Sequence, residues 1–411
     1  MRFVTLFLKS QNVHLVKDIG MIPWLLRKNH GVDSELVTWK NGDYPHLDTE
    51  VRGMKLRFIK KTPFGRIFDG CRYLRYESPS IDVLNIYHLN LASYFYEKIY
   101  LKYNPAGRVY LKLDMNNKGF ADCFKQNPKA WIKRATIRRA KLVSVENKQM
   151  QEELNRRFPG KLFYLPNGFF EPEEKESACN SPEENTDYPE NSDKRDNCPV
   201  RSSQTCELRT NKAAEPKKDL ILTVGNLGTW EKATDILLAA FALFAENAEH
   251  DQQNPEAAKE YSLRLVGPIE PRFQKEIEEF FEIFPELKDR VTFTGPIKDR
   301  NELACEYEQA RFFVLPSRSE SFGFVLLEAG LSGCYLIASD GCSAARDITD
   351  NEKYGKIVKA DDASSLAKAF SELCQPGSIP DFKGDELARH IRKNYSWDSI
   401  IETLYKRISA N

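Results

Sequence analysis

A strand, a polar turn and a helix form the segment of this chain that is best suited to chemistry. The apolar run Phe312–Leu315 predicts a buried strand, and Ser321, Phe322 and Gly323 stand where the following helix should open. Backbone amides at a helix start lack intrahelical partners, so an anion is favoured there by roughly 0.3–2 kcal/mol. Glycine removes a Cβ and lets a phosphate approach the backbone closely. The segment therefore predicts a phosphate-binding turn.

Two glutamates flank that turn. Glu320 precedes the expected helix, and Glu328 lies about two helical turns along it. Carboxylates at this spacing can hold different hydroxyl groups of one extended ligand, but they are too far apart to bind one metal ion as a pair. We therefore expect a ligand with phosphate and hydroxyl groups, and no metal.

The rest of the chain predicts the elements that position this turn. Short β-branched or aromatic runs alternate with stretches of helical periodicity in both halves of the chain. The runs are Phe3–Leu8, Leu36–Trp39, Val83–Tyr87, Val109–Leu113, Leu142–Val145 and Leu162–Leu165, then Leu220–Val224, Leu263–Val266, Val291–Thr294, Phe312–Leu315 and Tyr335–Ala338. Such alternation predicts an α/β protein with two parallel sheets, each covered by helices on both faces. Ligands of these sheets bind outside the carboxyl ends of the strands, so a cleft between the two domains is the expected site.

The order of several short motifs resembles a known enzyme family. They are Glu320-x7-Glu328 with Ser-Phe-Gly inside it, Val224-Gly225-Asn226-Leu227 followed by Lys232, Val266-Gly267-Pro268, Thr294-Gly295-Pro296-Ile297, Pro166-Asn167-Gly168 and Ser396-Trp397. Together they resemble the retaining glycosyltransferases of family four, the group 1 glycosyl transferases, of the bacterial surface-polysaccharide type. The resemblance implies the GT-B architecture, in which two Rossmann-like, doubly wound domains face a cleft and a C-terminal helix crosses back to the first domain.

The resemblance also implies roles on the donor side. Glu328 would bind the ribose hydroxyls of a nucleotide, Glu320 would contact the transferred sugar, and Lys232 would neutralise the diphosphate as it leaves. The remaining donor-binding residues that it implies are Gly20, Gly225, Asn226, Ser321, Phe322, Gly323 and Ile297. Gly20 can alternatively be read as a glycine that only shapes a turn.

On the opposite domain, the resemblance implies that His88 faces the donor sugar as a catalytic residue and that Asp114 lies on the acceptor side. Each has a structural alternative: His88 as a core histidine after a buried strand, and Asp114 as a helix cap. The chain departs from the family where an arginine is usual, because Asn226 stands there. Lys232 is then the remaining obvious cation, unless Arg318 or Arg346 supplies the phosphate contact.

The net charge of zero over 411 residues conceals an uneven distribution. Residues 1–170 hold 30 Lys and Arg against 15 Asp and Glu, whereas residues 219–411 hold 22 against 33. We assign 1–170 to an acceptor-side domain, 171–218 to a polar and disordered connection, 219–390 to the donor-binding domain and 391–411 to the returning helix. The basic half indicates an anionic partner surface, although drift in surface composition is the alternative.

A basic segment in the first domain indicates where that surface lies. Residues 125–141 contain no acid, and their basic and aromatic members include Lys129, Trp131, Lys133, Arg134 and Arg138. This pattern resembles an amphipathic helix in the interface of an anionic membrane, where each cation contributes up to ~1 kcal/mol. A basic helix packed on its own domain is the alternative. RNA binding has no supporting motif of stacking aromatic residues.

Composition narrows the class of protein further. Nine cysteines without a Cys-x-x-Cys pair indicate reduced thiols in a cytosolic protein, and no apolar run approaches the ~18 residues that span a bilayer. We therefore expect a cytoplasmic enzyme, peripheral on the inner face of the membrane, that transfers a hexose from a UDP- or GDP-sugar to a glycan or lipid-linked glycan. No other cofactor and no nucleic acid are expected. The alternatives are a nucleotide-sugar epimerase or hydrolase, and a non-catalytic nucleotide-sugar-binding subunit.

Overall fold

Two parallel sheets form the framework of the protein. The computed structural model describes residues 1–115, 117–169, 217–250, 261–375, 377–379 and 382–410. Most of the predicted connection 171–218 lies outside these residues; Lys218 begins a strand. No helix in the described ranges has both the length and the apolar character to cross a membrane.

The first sheet belongs to the N-terminal domain. Its strands are β1 Arg2–Leu6, β2 Asp33–Thr38, β3 Leu56–Phe58, β4 Val83–Tyr87, β5 Arg108–Leu113, β6 Leu142–Val145 and β7 Leu162–Tyr164. The helices between them are α1 Asn12–Leu15, α2 Asp18–His30, α3 Gly65–Glu77, α4 Leu91–Tyr103, α5 Asn117–Asp122, α6 Pro128–Arg139 and α7 Lys148–Arg157. The strand order is β3-β2-β1-β4-β5-β6-β7, so the chain reverses its direction across the sheet between β1 and β4.

The second sheet belongs to the C-terminal domain. Its strands are β8 Lys218–Val224, β9 Ser262–Val266, β10 Val291–Gly295, β11 Ala310–Leu315, β12 Tyr335–Ser339 and β13 Gly355–Val358. The helices that accompany them are α8 Thr234–His250, α9 Gln274–Ile283, α10 Arg300–Gln309, α11 Phe324–Leu331, α12 Ala345–Ile348, α13 Ala363–Leu373, α14 Gly384–Tyr395 and α15 Trp397–Ser409. The order β10-β9-β8-β11-β12-β13 places the reversal between β8 and β11.

The predicted α/β class and its strands are confirmed. Each predicted strand forms, with ends that differ from the prediction by at most three residues. Two strands were missed, β3 and β13, and both lie at an edge of their sheet. Apolar side chains cover both faces of each sheet, as expected for parallel strands that are joined by helices.

The last helix joins the two domains. Trp397, Ile401 and Leu404 of α15 are buried in the N-terminal core, where each large side chain contributes roughly 1.5–3 kcal/mol. A Cβ on Gly168 would lie 2.5 Å from the Trp397 ring, so glycine is required where this helix returns. The predicted boundary at residue 391 falls inside α14, whose Ile391 side chain packs in the C-terminal core.

Candidate functional site

The turn before α11 has the form that the sequence predicts, with an added packing reason for its glycine. Gly323 caps α11 with a φ of 81°, in the left-handed region. A Cβ on Gly323 would lie 2.9 Å from Leu315 and 3.2 Å from the Cys342 sulfur. Phe322 is buried beneath the turn, whereas Ser321 is half-buried. The close packing therefore fixes the amides that open α11 above the end of β11.

Lys232 and Glu320 form an ion pair beside that helix start. The Lys232 ammonium lies 2.5 Å from the Glu320 carboxylate, and the two side chains are 27% and 21% exposed. The Glu320 amide donates a hydrogen bond to the carbonyl of Gly341, in the loop after β12, and this bond fixes the backbone at Glu320. The family resemblance implies that these two side chains contact different parts of one ligand; in the structure they form an ion pair with each other.

The loop after β8 brings Lys232 to this position. The lysine stem passes over Gly225, whose Cβ would lie 3.7 Å from it. The carbonyl of Gly225 meets Gly267, where a Cβ would be 1.8 Å away, so the ends of β8 and β9 touch through glycine. Ala233, the next residue, is buried with a φ of 53°, a strained conformation that is typical of functional loops. A cavity of about 10 Å³, enough for roughly one water, lies beneath the lysine.

The two arginines that could supply the contact of the missing arginine both have carboxylate partners. Asn226 is exposed at the surface of the loop. The Arg318 guanidinium binds both carboxylate oxygens of Asp235, at 2.9 and 2.5 Å, and donates to Asp361 at 2.6 Å. Arg346 lies 3.5 Å from Glu352. Each of the three candidate cations, Lys232 included, therefore has a carboxylate partner in the structure.

Glu328 is oriented by a tyrosine of the preceding helix. The buried Tyr307 hydroxyl donates to the Glu328 carboxylate at 2.7 Å. Desolvation of this carboxyl raises its pKa, while the Tyr307 hydrogen bond and the charge of Arg300 act in the opposite direction. The residue itself remains accessible from solvent on α11. Ile297, after β10, is half-buried against the core of the C-terminal domain.

On the N-terminal domain, His88 lies directly after β4 with a φ of 60°. Its ring packs 6.2 Å from that of Phe7, and its carbonyl accepts the Ser93 hydroxyl at 2.6 Å. The ring lines a cavity of about 250 Å³ at the ends of β1 and β4. His88 is therefore half-buried at an open pocket, which keeps it accessible to a ligand.

Gly20 has a structural reason of its own. It lies in the first turn of α2, where its amide donates to the Lys17 carbonyl at 3.0 Å. A Cβ there would lie 2.2 Å from the Leu15 carbonyl oxygen, so glycine allows α1 and α2 to pack together. Its contact with a phosphate stays a prediction.

A buried ionic cluster next to Asp114 was missed by the sequence analysis. The Lys112 ammonium lies 2.9 Å from Glu146 and from the Asn167 side-chain oxygen, and 3.6 Å from Asp18. Burial raises the pKa of Glu146 to about 8, against the opposing charge of Lys112. Asp114 itself is exposed, and its charge adds to the rise. The lysine within the predicted strand Val109–Leu113 was the signal that could have revealed the cluster.

The basic segment forms helix α6, which begins after the Asn127 cap. The membrane hypothesis expects the apolar face of this helix to be exposed. In the structure Ala135 and Ile137 are buried instead, because the helix packs against α4. Trp131 remains 53% exposed. The basic side chains differ in exposure, with Lys129 and Arg138 exposed and Lys133 and Arg134 half-buried. The exposed side of α6 therefore combines positive charge with one aromatic ring.

Among the described residues, no group of three or more His, Cys, Asp and Glu side chains could hold a metal ion.

Comparison with known proteins links these features to glycosyl transfer. Residues 218–376, which include Lys232, Glu320 and Glu328, match the family model of the glycosyl transferases group 1. A stretch of 125 residues, 30% of this chain, is 32% identical to the lipopolysaccharide core biosynthesis mannosyltransferase LpcC of Rhizobium leguminosarum bv. viciae and covers 34% of it. The chain spans about a third of the length of the curated relatives it matches.

Two solved structures resemble the whole chain. Anabaena Alr3699/HepE in complex with UDP and glucose has a TM-score of 0.64 at 15% identity, with 100% of this chain and 99% of that one covered. The lipopolysaccharide outer core galactosyltransferase WaaB in its apo form has a TM-score of 0.67 at 14% identity, with 99% of each chain covered. The fold is that of the GT-B glycosyltransferases, and the family match supports a transferase.

Proposed function

We propose that this chain is a retaining, metal-independent glycosyltransferase that moves a hexose from a nucleotide sugar to a glycan hydroxyl. The observation that carries the proposal is the Lys232 ammonium, 2.5 Å from Glu320, beside the opening of the helix that holds Glu328. A cation and the amides at a helix start suit a diphosphate, and the two carboxylates suit the hydroxyls on either side of it. The position at the carboxyl ends of β8 and β11, where the strand order reverses, is where such sheets bind ligands.

In the proposed reaction, the bond between the anomeric carbon and the leaving phosphate oxygen breaks, and a bond to the acceptor oxygen forms on the same face of the sugar. The acceptor proton passes to the leaving phosphate oxygen. Lys232 and the amides that open α11 stabilise the negative charge that develops on the diphosphate. These groups do the work that Mg²⁺ does in other enzymes.

For the donor, we propose that Glu328 binds the ribose hydroxyls and that Glu320 contacts the transferred sugar, with His88 facing it from the other domain. Tyr307 supports the first role because it fixes one carboxylate oxygen of Glu328. UDP and GDP are the proposed nucleotides, and the HepE complexes with UDP favour the first. The relatives named for mannosyl and galactosyl transfer support a hexose.

For the acceptor, we propose a lipid-linked oligosaccharide of cell-surface polysaccharide synthesis, reached from the cytoplasmic face of the membrane. The names of LpcC and WaaB, both of lipopolysaccharide synthesis, support this class. Trp131 and Arg138 are exposed about two helical turns apart on α6, and this combination of an aromatic ring and positive charge supports contact with anionic lipid. Asp114 is exposed at the end of β5, on the side of the N-terminal domain where the acceptor is proposed to bind.

A transfer assay tests the proposal. UDP- and GDP-hexoses are supplied with and without a membrane extract as acceptor source, and release of nucleoside diphosphate is followed in the presence of EDTA. The proposal expects release that depends on the acceptor and is unchanged by EDTA. Release without an acceptor would indicate the epimerase or hydrolase instead.

A non-catalytic nucleotide-sugar-binding subunit is the second candidate, and Asn226 favours it. Arg318 and Arg346, which could replace the usual arginine, are paired with carboxylates, as Lys232 is with Glu320, so a diphosphate has to displace a carboxylate from any of these three cations. Tight binding of UDP or GDP with no turnover on any acceptor would establish this alternative and overturn the transferase.

A further inference from the structure

A cavity in the N-terminal domain is lined by residues other than those of the Lys232 loop. It has a volume of about 250 Å³ and opens at the carboxyl ends of β1 and β4. The strand order reverses between these two strands, because β1 continues to β2 on one side and β4 continues to β5 on the other. Parallel sheets bind ligands at this kind of reversal, so the cavity is placed as a binding site by the topology of its sheet.

The walls of the cavity are apolar and its charges have one sign. Leu6, Leu8 and Ile86 form buried walls. Lys9 and Arg66 are the charged residues that line it, both exposed, and no Asp or Glu lines it. The cavity therefore combines two positive charges with apolar walls.

Neither cation is neutralised by a carboxylate within the described residues. The nearest acid along α3, Asp69, is fully buried and accepts both the amide and the hydroxyl of Thr62, at 2.8 and 2.6 Å. Other arginines of the domain do have buried acidic partners; Arg139, for example, lies 2.8 Å from Glu97. Two unpaired cations at one cavity mouth are consequently available to an external anion.

We propose that this cavity binds a sugar that carries an oxyanion, with Lys9 and Arg66 holding that group. The guanidinium can bind a phosphate or carboxylate through two parallel hydrogen bonds, and the ammonium adds a second charge. The volume lies below the roughly 300–1,000 Å³ of sites for drug-sized ligands, so it suits one sugar ring and its substituent. This inference rests on the proposed function, because it gives the acceptor its chemistry: an anionic sugar beside His88.

Binding measurements with small probes test the site without turnover. Glucose 6-phosphate, glucuronate and glucose are titrated separately into the full chain and into the Lys9→Met/Arg66→Met variant by calorimetry or NMR. The proposal expects the two anionic sugars to bind, roughly tenfold or more tightly than in the variant, with glucose weak in both. Arg72→Met, an exposed arginine of α3 that does not line the cavity, is the matched control and should bind as the natural chain does.

Equal affinities in the natural chain and the double variant, or equal binding of glucose and the anions, would overturn the proposal. If the anionic sugars bind as expected, a lipid-borne ligand is distinguished from a free sugar phosphate by comparing the binding of the chain to vesicles that contain an acidic glycolipid and to vesicles of neutral lipid. UDP titration of the same samples separates this result from the proposed function: UDP should bind the double variant normally. Failure of UDP to bind the natural chain would count against the transferase, whereas loss of the anion difference alone would count against the cavity.

Discussion

Replacing Glu320 with glutamine is predicted to tighten the binding of free UDP and to slow sugar transfer. In the structure the Lys232 ammonium is paired with the Glu320 carboxylate at 2.5 Å, so a diphosphate must displace this carboxylate to reach the cation. Glutamine keeps the shape of the side chain but removes its charge. UDP lacks the transferred sugar, so the proposed contact between Glu320 and that sugar does not enter the measurement.

The magnitude follows from the burial of the pair. The side chains of Lys232 and Glu320 are 27% and 21% exposed, between the extremes of buried and surface pairs. Hydrogen bonds to charged groups contribute roughly 1.5–3 kcal/mol, and surface ion pairs contribute about 0–1 kcal/mol. We take about 1–2 kcal/mol for this pair, which corresponds to a fall in the Kd for UDP of roughly 5- to 30-fold.

Titration calorimetry with UDP and GDP measures this change, and a transfer assay on the same samples measures turnover. Glu231→Gln is the matched control, because this exposed carboxylate lies in the same loop without pairing with Lys232. The control should leave the UDP affinity unchanged within about twofold. The reasoning is refuted if Glu320→Gln binds UDP no more tightly than the natural chain, or if the control gives the same gain.

Three further predictions concern stability and donor binding. Gly323→Ala should lower the free energy of unfolding by roughly 2–4 kcal/mol, because the new Cβ adds a clash to the strain of a positive φ. Gly31 has a φ of 63° but open space around it, so Gly31→Ala should lower the free energy of unfolding by only about 1 kcal/mol. Denaturant titrations measure both changes. Burial raises the pKa of Glu146 to about 8 in the folded chain, so between the ordinary pKa of a glutamate and pH 8 the folded state binds more protons than the unfolded state. The free energy of unfolding should therefore fall as the pH rises towards 8. Unfolding curves at several pH values should show a smaller fall for Glu146→Gln. Glu328→Ala should weaken UDP binding by about tenfold or more and Tyr307→Phe by less, since the tyrosine only orients the carboxylate; equal affinities for the natural chain and both variants in calorimetry would contradict the assignment of the ribose to this residue.

The sequence predicts the strands well where they are buried on both faces. Continuous apolar runs such as Phe312–Leu315 mark the central strands, because both faces of a parallel sheet are covered. The two strands that were missed, Leu56–Phe58 and Gly355–Val358, lie at sheet edges and include Arg57 and Lys356, which interrupt the apolar pattern. Their pairing depends on the neighbouring strand more than on their own composition.

The residues proposed for the site could be named from the sequence, but the contacts between them could not. Glu320, Glu328 and the turn between them follow from local spacing and from the family resemblance. The contact between Lys232 and Glu320 joins residues 88 positions apart, so it depends on how the strand ends meet in space. Gly20 shows the converse limit: its clash with Leu15 gives a packing reason for glycine that no spacing rule reveals.

The central claim is that Lys232 and the opening of α11 grip a nucleoside diphosphate, and a crystal structure of the chain soaked with saturating UDP tests it most directly. The account predicts a diphosphate between the Lys232 ammonium and the amides around Gly323, with Glu320 displaced from the lysine and Glu328 at the ribose. A nucleotide bound elsewhere, or a Lys232–Glu320 pair left intact beside bound UDP, would contradict it.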